Sequence, residues 1–285
     1  MIHDLFSGLR VPDAERRMLG LFAHPDDEAF TCAGTLARIA ARGGFVQLVC
    51  ATRGELGEIG DPALATAETL GEVRAEELRE ACRQIGIGEP VFLGYRDSGM
   101  AGTPGNDDPR SLHRAGCDRV TADATAAIRR YRPQVVLTFD PEGGYGHPDH
   151  IAIHHAAMAA FDAAGDRAAF PEQVAEGLAP HRPTRLFYVA LPRSLFTRLF
   201  AAIRTMGIDP AELGFRGGPL GMPDELIDAV IDVGDQIERK QAAMAAHRTQ
   251  MAPSSPFNRI PRELFVEGMR REHFVLARGP GARAS

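Results

Sequence analysis

Hydrophobic runs that are typical of buried strands alternate with segments of helical period along the first half of the chain. The continuous apolar runs predict strands at 18–23, 45–51, 91–93 and 134–139. Between them, apolar residues recur at helical spacing and predict helices over 34–42, 66–86 and 121–132, the last with Thr121 as its cap. This alternation predicts an α/β fold, a Rossmann-like and mostly parallel sheet with helices on both faces.

The second half predicts further elements of both kinds and a C-terminal lobe. They are a helix from 150 to about 161, a strand at 186–191, a helix over 194–206, a strand at 227–233, a helix at 235–250 and a last strand near 274–276. We expect residues 1–165 to form a Rossmann-like, metal-binding catalytic domain and 166–285 to complete the sheet and the substrate cleft. Two Gly- and Pro-rich loops, 94–119 and 207–223, lack a clear period and are long enough to cover a substrate.

Composition narrows the class of protein without identifying it. The chain has 285 residues, 44% hydrophobic and 25% charged, with a net charge of −6. A domain of this length can bury a sizeable core without disulfides. The four cysteines lie far apart without a C-x-x-C pair, so we expect them to be reduced and mostly in the core. An acidic chain is a poor nucleic-acid binder.

The N-terminal residues give no sign of a membrane or export segment. Acidic and basic side chains precede any apolar run, and no stretch approaches the roughly 18 to 20 apolar residues that span a bilayer. We therefore expect a cytoplasmic protein without membrane insertion. A homo-oligomeric state stays open.

Two short motifs carry most of the candidate chemistry. The sequence His-Pro-Asp-Asp-Glu at 24–28 follows the first predicted strand, and Tyr-Gly-His-Pro-Asp-His at 145–150 follows the strand at 134–139 through a Gly-rich turn. Loops at the carboxyl ends of parallel strands meet at one edge of a sheet, where ligands bind. The two motifs therefore predict imidazoles and carboxylates brought together at that edge.

Histidine and carboxylate ligands without a thiolate are typical of a catalytic divalent cation with three protein ligands and one open position. Zinc is the first candidate, and Fe²⁺ suits the same ligands. Such a cation activates water, while a nearby free carboxylate takes the proton and an imidazole stabilises the oxyanion. Asp26 is a candidate for that carboxylate, whereas the pattern does not separate the roles of His147 and His150. For His154 and His155 we expect packing or surface roles.

Other interpretations of the same residues carry less weight. Each motif alone is compatible with a capped turn, but two of them after parallel strands favour a site. A dinucleotide-binding protein is disfavoured because no G-x-G-x-x-G follows the first strand.

At these residues the chain resembles the LmbE-like, or PIG-L, family of zinc-dependent deacetylases. The family signatures AHPDDE and HPDH stand at 23–28 and 147–150. The resemblance continues at 52–55, 73–78, 94–100, 140–150, 240–250 and 272–277, and it leaves out 163–226. It implies a metal-dependent hydrolase that removes an N-acetyl group from an N-acetylglucosamine-type conjugate by metal-activated water. The match looks closest to the branch that deacetylates N-acetylglucosaminyl-inositol in mycothiol biosynthesis.

The resemblance also implies roles for individual residues around the metal. It implies that the metal ligands are His24, Asp27 and His150, and that Asp26 acts as the general base. The role of His247, in the family's C-terminal helix motif, is left open.

Five further residues receive roles from the resemblance alone. It implies that His147 stabilises the tetrahedral oxyanion or protonates the leaving amine, and that Tyr145 assists at the carbonyl oxygen. It also implies that Arg74 and Asp97 bind sugar hydroxyls, with Glu55 at the edge of the substrate site.

Two alternatives remain beside the N-deacetylase. One is an amidase acting on a larger thiol or sugar conjugate, similar to the mycothiol-conjugate amidase. The other is a noncatalytic metal- or sugar-binding protein. The unmatched segment 163–226 is expected to distinguish the first from a deacetylase.

Overall fold

The computed structural model describes residues 1–207, 209, 220–251 and 262–283, without the side chains of 262–264. One seven-stranded sheet runs through the described residues in the order β3-β2-β1-β4-β5-β7-β6. The strands are β1 Arg17–Phe22, β2 Phe45–Cys50, β3 Val91–Phe92, β4 Val135–Thr138, β5 Arg185–Ala190, β6 Ala229–Asp232 and β7 Arg271–Arg278.

Helices connect and cover these strands, which confirms the predicted α/β class. They are α1 Asp27–Thr31, α2 Ala33–Ala41, α3 Leu70–Ile85, α4 Cys117–Tyr131, α5 Gly143–Gly146, α6 Pro148–Ala163, α7 Pro171–Ala175, α8 Arg193–Thr205, α9 Ile237–Ala246 and α10 Arg262–Met269. The element α5 is a kinked turn, because Gly144 and Tyr145 have non-helical backbone angles.

The parallel part of the sheet explains where the two motifs meet. Strands β3, β2, β1, β4 and β5 are parallel, and β1 lies between β2 and β4. Almost every side chain of β1, β2 and β4 is buried, as expected for strands covered on both faces. Because Gly20 of β1 pairs with Leu137 of β4, the segments that follow these two strands emerge side by side.

The C-terminal part extends the same sheet with antiparallel strands. β7 pairs antiparallel with both β5 and β6, so it lies between them. The side chain of Lys240 in α9 forms a buried ion pair with Glu272 of β7, with Nζ 2.7 Å from Oε1. Residues after 165 therefore supply three of the seven strands. The division into two domains at 165 stays a prediction.

Several predicted boundaries are wrong. Helix α4 begins at Cys117 after Gly116, and Thr121 is buried inside it rather than capping it. Helix α9 ends at Ala246, four residues early. The sequence analysis missed the short helices α1 and α7, and also α10. Most of the predicted loop 207–223 lies outside the described residues.

The cysteine prediction is confirmed for three of the four residues. Cys32, Cys50 and Cys82 are free and buried, whereas Cys117 is free but exposed at the start of α4. Among the helices of the described chain, none has the length and apolar character needed to cross a membrane.

Candidate active site

The first motif forms the turn that leads from β1 into α1. His24 lies two residues beyond the end of β1, and Asp27 is the first residue of α1. Asp26 has a φ of 111°, a conformation that non-glycine residues rarely adopt. Such a backbone persists only where surrounding contacts hold it, and it is common at functional sites.

The second motif forms the start of α6. His147 is the N-cap residue and its Nδ1 accepts a hydrogen bond from the N–H of Asp149, while Pro148 is the first helical residue. The ring of His150 stacks on Phe139, with ring centroids 3.8 Å apart. Helix α6 thus begins two residues before the predicted start at 150, and the ring centroids of His147 and His150 lie 5.0 Å apart.

The imidazoles of the two motifs face each other. Nδ1 of His24 lies 3.1 Å from Nε2 of His150. The opposite nitrogen of each ring is already committed: His150 Nδ1 donates to the carbonyl oxygen of Gly143, and His24 Nε2 faces carboxylate oxygens of Asp149 and Asp97, at 3.3 and 3.5 Å. The facing nitrogens would thus present two lone pairs to each other unless a proton or a cation lay between them.

Asp27 adds a carboxylate to this pair of rings. Its Oδ1 lies 3.4 Å from His150 Nε2, while its Oδ2 accepts the N–H groups of His24 and Ala23 at 2.8 and 3.1 Å. Burial would raise the pKa of Asp27, but the neighbouring His150 and His24 lower it to about 2. The carboxylate is therefore ionised and has one oxygen near His150 Nε2.

The donor set fits a divalent cation. Ligand atoms 2.0 to 2.2 Å from a tetrahedral zinc ion lie about 3.3 Å from one another. Two of the three separations among these residues match that value: 3.1 Å between the His24 and His150 nitrogens, and 3.4 Å between His150 Nε2 and Asp27 Oδ1. His147 also lies close, since ring nitrogens of His24, His147 and His150 all fall within 4.8 Å of one another.

A pair of buried carboxylates holds the far side of His24. Besides facing His24, Asp149 accepts the N–H groups of Ser98 and His113, at 2.8 and 2.9 Å. Burial of His24 would lower the pKa of its ring, but Asp149 and Asp97 raise it to about 10. Carboxylates on the outer nitrogen of a histidine ligand fix its orientation and increase its basicity.

Asp26 stands beside the candidate ligands without contacting their facing nitrogens. Its side chain is about one-fifth exposed, and its Oδ2 accepts a hydrogen bond from Arg74 Nη2 at 3.2 Å. Burial raises the pKa of Asp26 to about 6, against the opposing effect of Arg74. A partly exposed carboxylate beside the candidate ligands is suited to accept a proton.

His147 and Tyr145 adjoin the cluster, His147 as a buried side chain and Tyr145 as an exposed one. Burial, together with His24 and His150, lowers the pKa of His147 to about 4. Tyr145 is 63% exposed, and its ring centroid lies 5.0 Å from that of His150. Both rings therefore lie next to His150, with centroids 5.0 Å from its ring in each case.

The three predicted sugar-binding residues lie next to the site, and the protein itself occupies most of their polar groups, although the buried Arg74 Nε has no hydrogen-bond partner among the described residues. Arg74 is 3% exposed and donates to the carbonyl oxygens of Pro25 and Gly54. A Cβ on Gly54 would come within 2.1 Å of the guanidinium, so only glycine leaves room for it. These contacts assign Arg74 to holding the 24–28 turn, and its contact with sugar stays a prediction.

The carboxylates of Asp97 and Glu55 also accept hydrogen bonds from the protein itself. Both oxygens of Asp97 accept backbone N–H groups, from Leu56 and Gly99, and Asp97 is 3% exposed. Glu55 Oε2 accepts the N–H of Asp97 at 3.0 Å. Their predicted contacts with sugar hydroxyls also stay predictions.

Three residues of the site were not assigned by the sequence analysis. Asp149 lies inside the second motif, between two residues that were assigned, so its position was a usable signal. Glu28 and His247 form a buried pair with Oε1 2.9 Å from Nε2, and no local pattern predicts a contact between residues 219 positions apart. His154 is buried with its Nδ1 2.9 Å from the Phe139 carbonyl, and His155 is exposed, which confirms their predicted packing and surface roles.

Comparison with known proteins agrees with the predicted family. A model of the PIG-L family, described as GlcNAc-PI de-N-acetylase, matches residues 19–161. The 1D-myo-inositol 2-acetamido-2-deoxy-alpha-D-glucopyranoside deacetylase of Geodermatophilus obscurus is 40% identical over 276 residues, which cover 93% of this chain and 92% of that protein. The protein of the same name from Thermobifida fusca is 38% identical over 282 residues, covering 94% and 95%.

Solved structures share the fold at lower identity. The N,N'-diacetylchitobiose deacetylase of Pyrococcus horikoshii superposes with a TM-score of 0.65 and 22% identity, over 95% of this chain and 87% of that one. The 4-carboxy-2-hydroxymuconate hydratase of Pseudomonas putida KT2440 superposes with a TM-score of 0.60 and 18% identity, over 95% and 99%. A deacetylase and a hydratase thus share this architecture, so the fold alone does not specify the reaction. The family match and the long alignments to the curated deacetylases do show that this chain belongs to the PIG-L family of GlcNAc-PI de-N-acetylases.

Proposed function

We propose that this protein is a metal-dependent N-deacetylase that hydrolyses the acetamide of N-acetylglucosaminyl-inositol and releases acetate and the free amine. The class of enzyme, a deacetylase, follows from relatives of about 40% identity that align over most of the chain. The inositol conjugate is the substrate in the names of those relatives, and it is our proposal for this chain. Zn²⁺ is the proposed cofactor, with Fe²⁺ as the second candidate.

The observation that carries this proposal is the position of His150 Nε2, which lies 3.1 Å from His24 Nδ1 and 3.4 Å from Asp27 Oδ1, with Asp26 next to Asp27 in the chain. We infer that the first three are the metal ligands. A cation bound there polarises an amide carbonyl and lowers the pKa of an attacking water. The buried carboxylates behind His24 support its role as a ligand, because they leave Nδ1 as the nitrogen available to a cation.

The remaining residues handle protons and charge. Asp26 accepts the proton of the attacking water, because its carboxylate borders the site and Arg74 holds it in place. His147 accepts the Asp149 N–H at Nδ1, so a neutral ring carries its proton on Nε2. We infer that this Nε2–H donates to the developing oxyanion, assisted by Tyr145, and that His147 can pass its proton to the leaving amine.

One experiment distinguishes this proposal from its alternatives. The metal-loaded protein is incubated with N-acetylglucosaminyl-inositol, N,N'-diacetylchitobiose and a mycothiol S-conjugate, and free amine is measured over time. We expect the inositol conjugate to give the highest kcat/KM. Preference for the mycothiol conjugate would indicate the larger-amide amidase, and binding of the sugars without any release of amine would indicate a noncatalytic binding protein. The cytoplasmic location and homo-oligomeric state stay predictions.

A further inference from the structure

The C-terminal segment reaches the catalytic turn through one buried contact. His247 follows the last residue of α9, and its ring is fully buried against Glu28 at the first turn of α1. His247 Nε2 lies 2.9 Å from Glu28 Oε1. Within the described residues, its Nδ1 is a buried atom without a hydrogen-bond partner. Among the described residues, the contact of Nε2 with Glu28 is therefore the hydrogen bond that orients the His247 ring.

The other oxygen of Glu28 meets the backbone of Asp26. Glu28 Oε2 accepts the Asp26 N–H at 3.2 Å. This is the residue whose φ of 111° is unfavourable for any side chain other than glycine. A backbone in that region is retained only when contacts on both sides of it hold it there. Arg74 supplies such a contact on the other side, through the Pro25 carbonyl and the Asp26 carboxylate.

We propose that Glu28 and His247 are positioning residues for Asp26: His247 orients the Glu28 carboxylate, which fixes the Asp26 N–H and with it the backbone conformation that directs the Asp26 side chain toward the site. This inference rests on the proposed function, in which Asp26 is the general base. It gives His247, within the C-terminal motif at 246–250, a role in the reaction through its contact with Glu28.

The test uses two substitutions of one residue. In His247→Gln the amide nitrogen can lie near the position of the histidine Nε2 and keep the hydrogen bond to Glu28. In His247→Asn the amide nitrogen reaches only the position of Nδ1, so the hydrogen bond to Glu28 is lost. We expect His247→Asn to lower kcat by about tenfold to a hundredfold with little change in KM, because a small displacement of a reacting group has effects of that size. His247→Gln should recover most of the lost kcat.

Stability and metal content must be measured with the rates. Rates are expressed per folded, metal-loaded molecule, using the melting temperature and bound metal of each variant. Thr249→Val is the matched control, since Thr249 lies in the same segment and its Oγ1 donates to the buried Glu77, 2.7 Å away, rather than to Glu28. It should lower the melting temperature and leave kcat within twofold of wild type.

A double-mutant cycle decides whether His247 acts through Asp26. In an Asp26→Asn background, His247→Asn should cause no further loss of kcat, because the group it positions has already been disabled. A full additional loss in that background, or a wild-type kcat for His247→Asn alone, would overturn the inference. High activity of Asp26→Asn itself would instead overturn the proposed function, so the two failures are distinguishable.

Discussion

Among the described residues, two buried clusters of charged side chains differ in what their polar atoms face: one is Lys240 with Glu272, and the other is His24 with Asp27 and His150. Both carboxylate oxygens of Glu272 are paired, because Glu272 accepts a hydrogen bond from Lys240 Nζ and also from the N–H groups of Gly34 and Thr35 at the start of α2. In the cluster of His24, Asp27 and His150, two ring nitrogens face each other, while the opposite nitrogen of each ring contacts another group.

The difference separates a structural cluster from a chemical one. A buried ion pair is tolerated when hydrogen bonds satisfy its remaining atoms, and the N–H groups of Gly34 and Thr35 do this for the Glu272 carboxylate. In the histidine–carboxylate cluster two ring nitrogens face each other 3.1 Å apart, an arrangement that is costly when both rings are neutral and useful for holding a cation. Predictions that separate activity from stability therefore test this distinction.

Asp26→Asn should produce the largest change in rate. The amide keeps the shape of the side chain but cannot accept a proton from water, so kcat should fall by about 10² to 10⁴-fold. Metal content and melting temperature should remain close to those of the wild type. Steady-state kinetics with metal analysis of the same samples check this, and an unchanged kcat would remove the base assignment.

Lys240→Met should lower the stability of the fold and leave kcat unchanged. The substitution leaves the Glu272 carboxylate buried without its cation, which costs about 3 to 5 kcal/mol in comparable pairs. Urea unfolding measures this loss, and kcat per folded molecule should stay at the wild-type value. A large loss of kcat per folded molecule would show that the two clusters are not independent.

Asp149→Asn should weaken metal binding without removing a ligand. Asp149 faces the outer nitrogen of His24, and loss of such a supporting carboxylate typically lowers metal affinity by about 10 to 100-fold. Competition with a chromophoric chelator measures the dissociation constant. An affinity equal to that of the wild type would show that Asp149 does not support His24 as a ligand.

His273→Gln should change the pH dependence of stability. Burial lowers the pKa of His273 to about 4, against the opposing charge of Asp224. As the pH falls below the ordinary value of 6.5, the unfolded chain takes up this proton before the folded protein does. The free energy of unfolding is therefore highest above pH 6.5 and declines toward pH 4, by an amount on the order of 1 to 3 kcal/mol.

The variant lacks this titrating group, so its stability should decline less between pH 7 and pH 4.5. The difference between wild type and variant in urea unfolding at the two pH values isolates His273 from groups that titrate in both proteins. Parallel declines would contradict the assignment.

The sequence predicted the parts of the site that depend on local order along the chain. Both motifs directly follow parallel strands, so the meeting of His24 and His150 followed from topology. Helix α4 was misplaced because its first turn, Cys117 to Arg119, is exposed and polar and hides the helical period. The roles of Glu28 and His247 could not be predicted, since their contact joins residues 219 positions apart and depends on how α9 packs.

Arg74 illustrates a second limit of predicting the site from the sequence. Its sequence context cannot show whether its guanidinium faces a substrate or the protein. That depends on the close approach of Gly54, which lies in a different element and leaves room for the buried arginine.

The most direct test of this account is the position of the bound metal. Crystals of the protein loaded with one equivalent of Zn²⁺ are measured at the zinc absorption edge, and the anomalous difference map locates the ion. The account predicts one peak within coordination distance of His24 Nδ1, Asp27 and His150 Nε2, with Asp26 beside it. A peak instead among Asp97, His147 and Asp149, on the other side of His24, would contradict it.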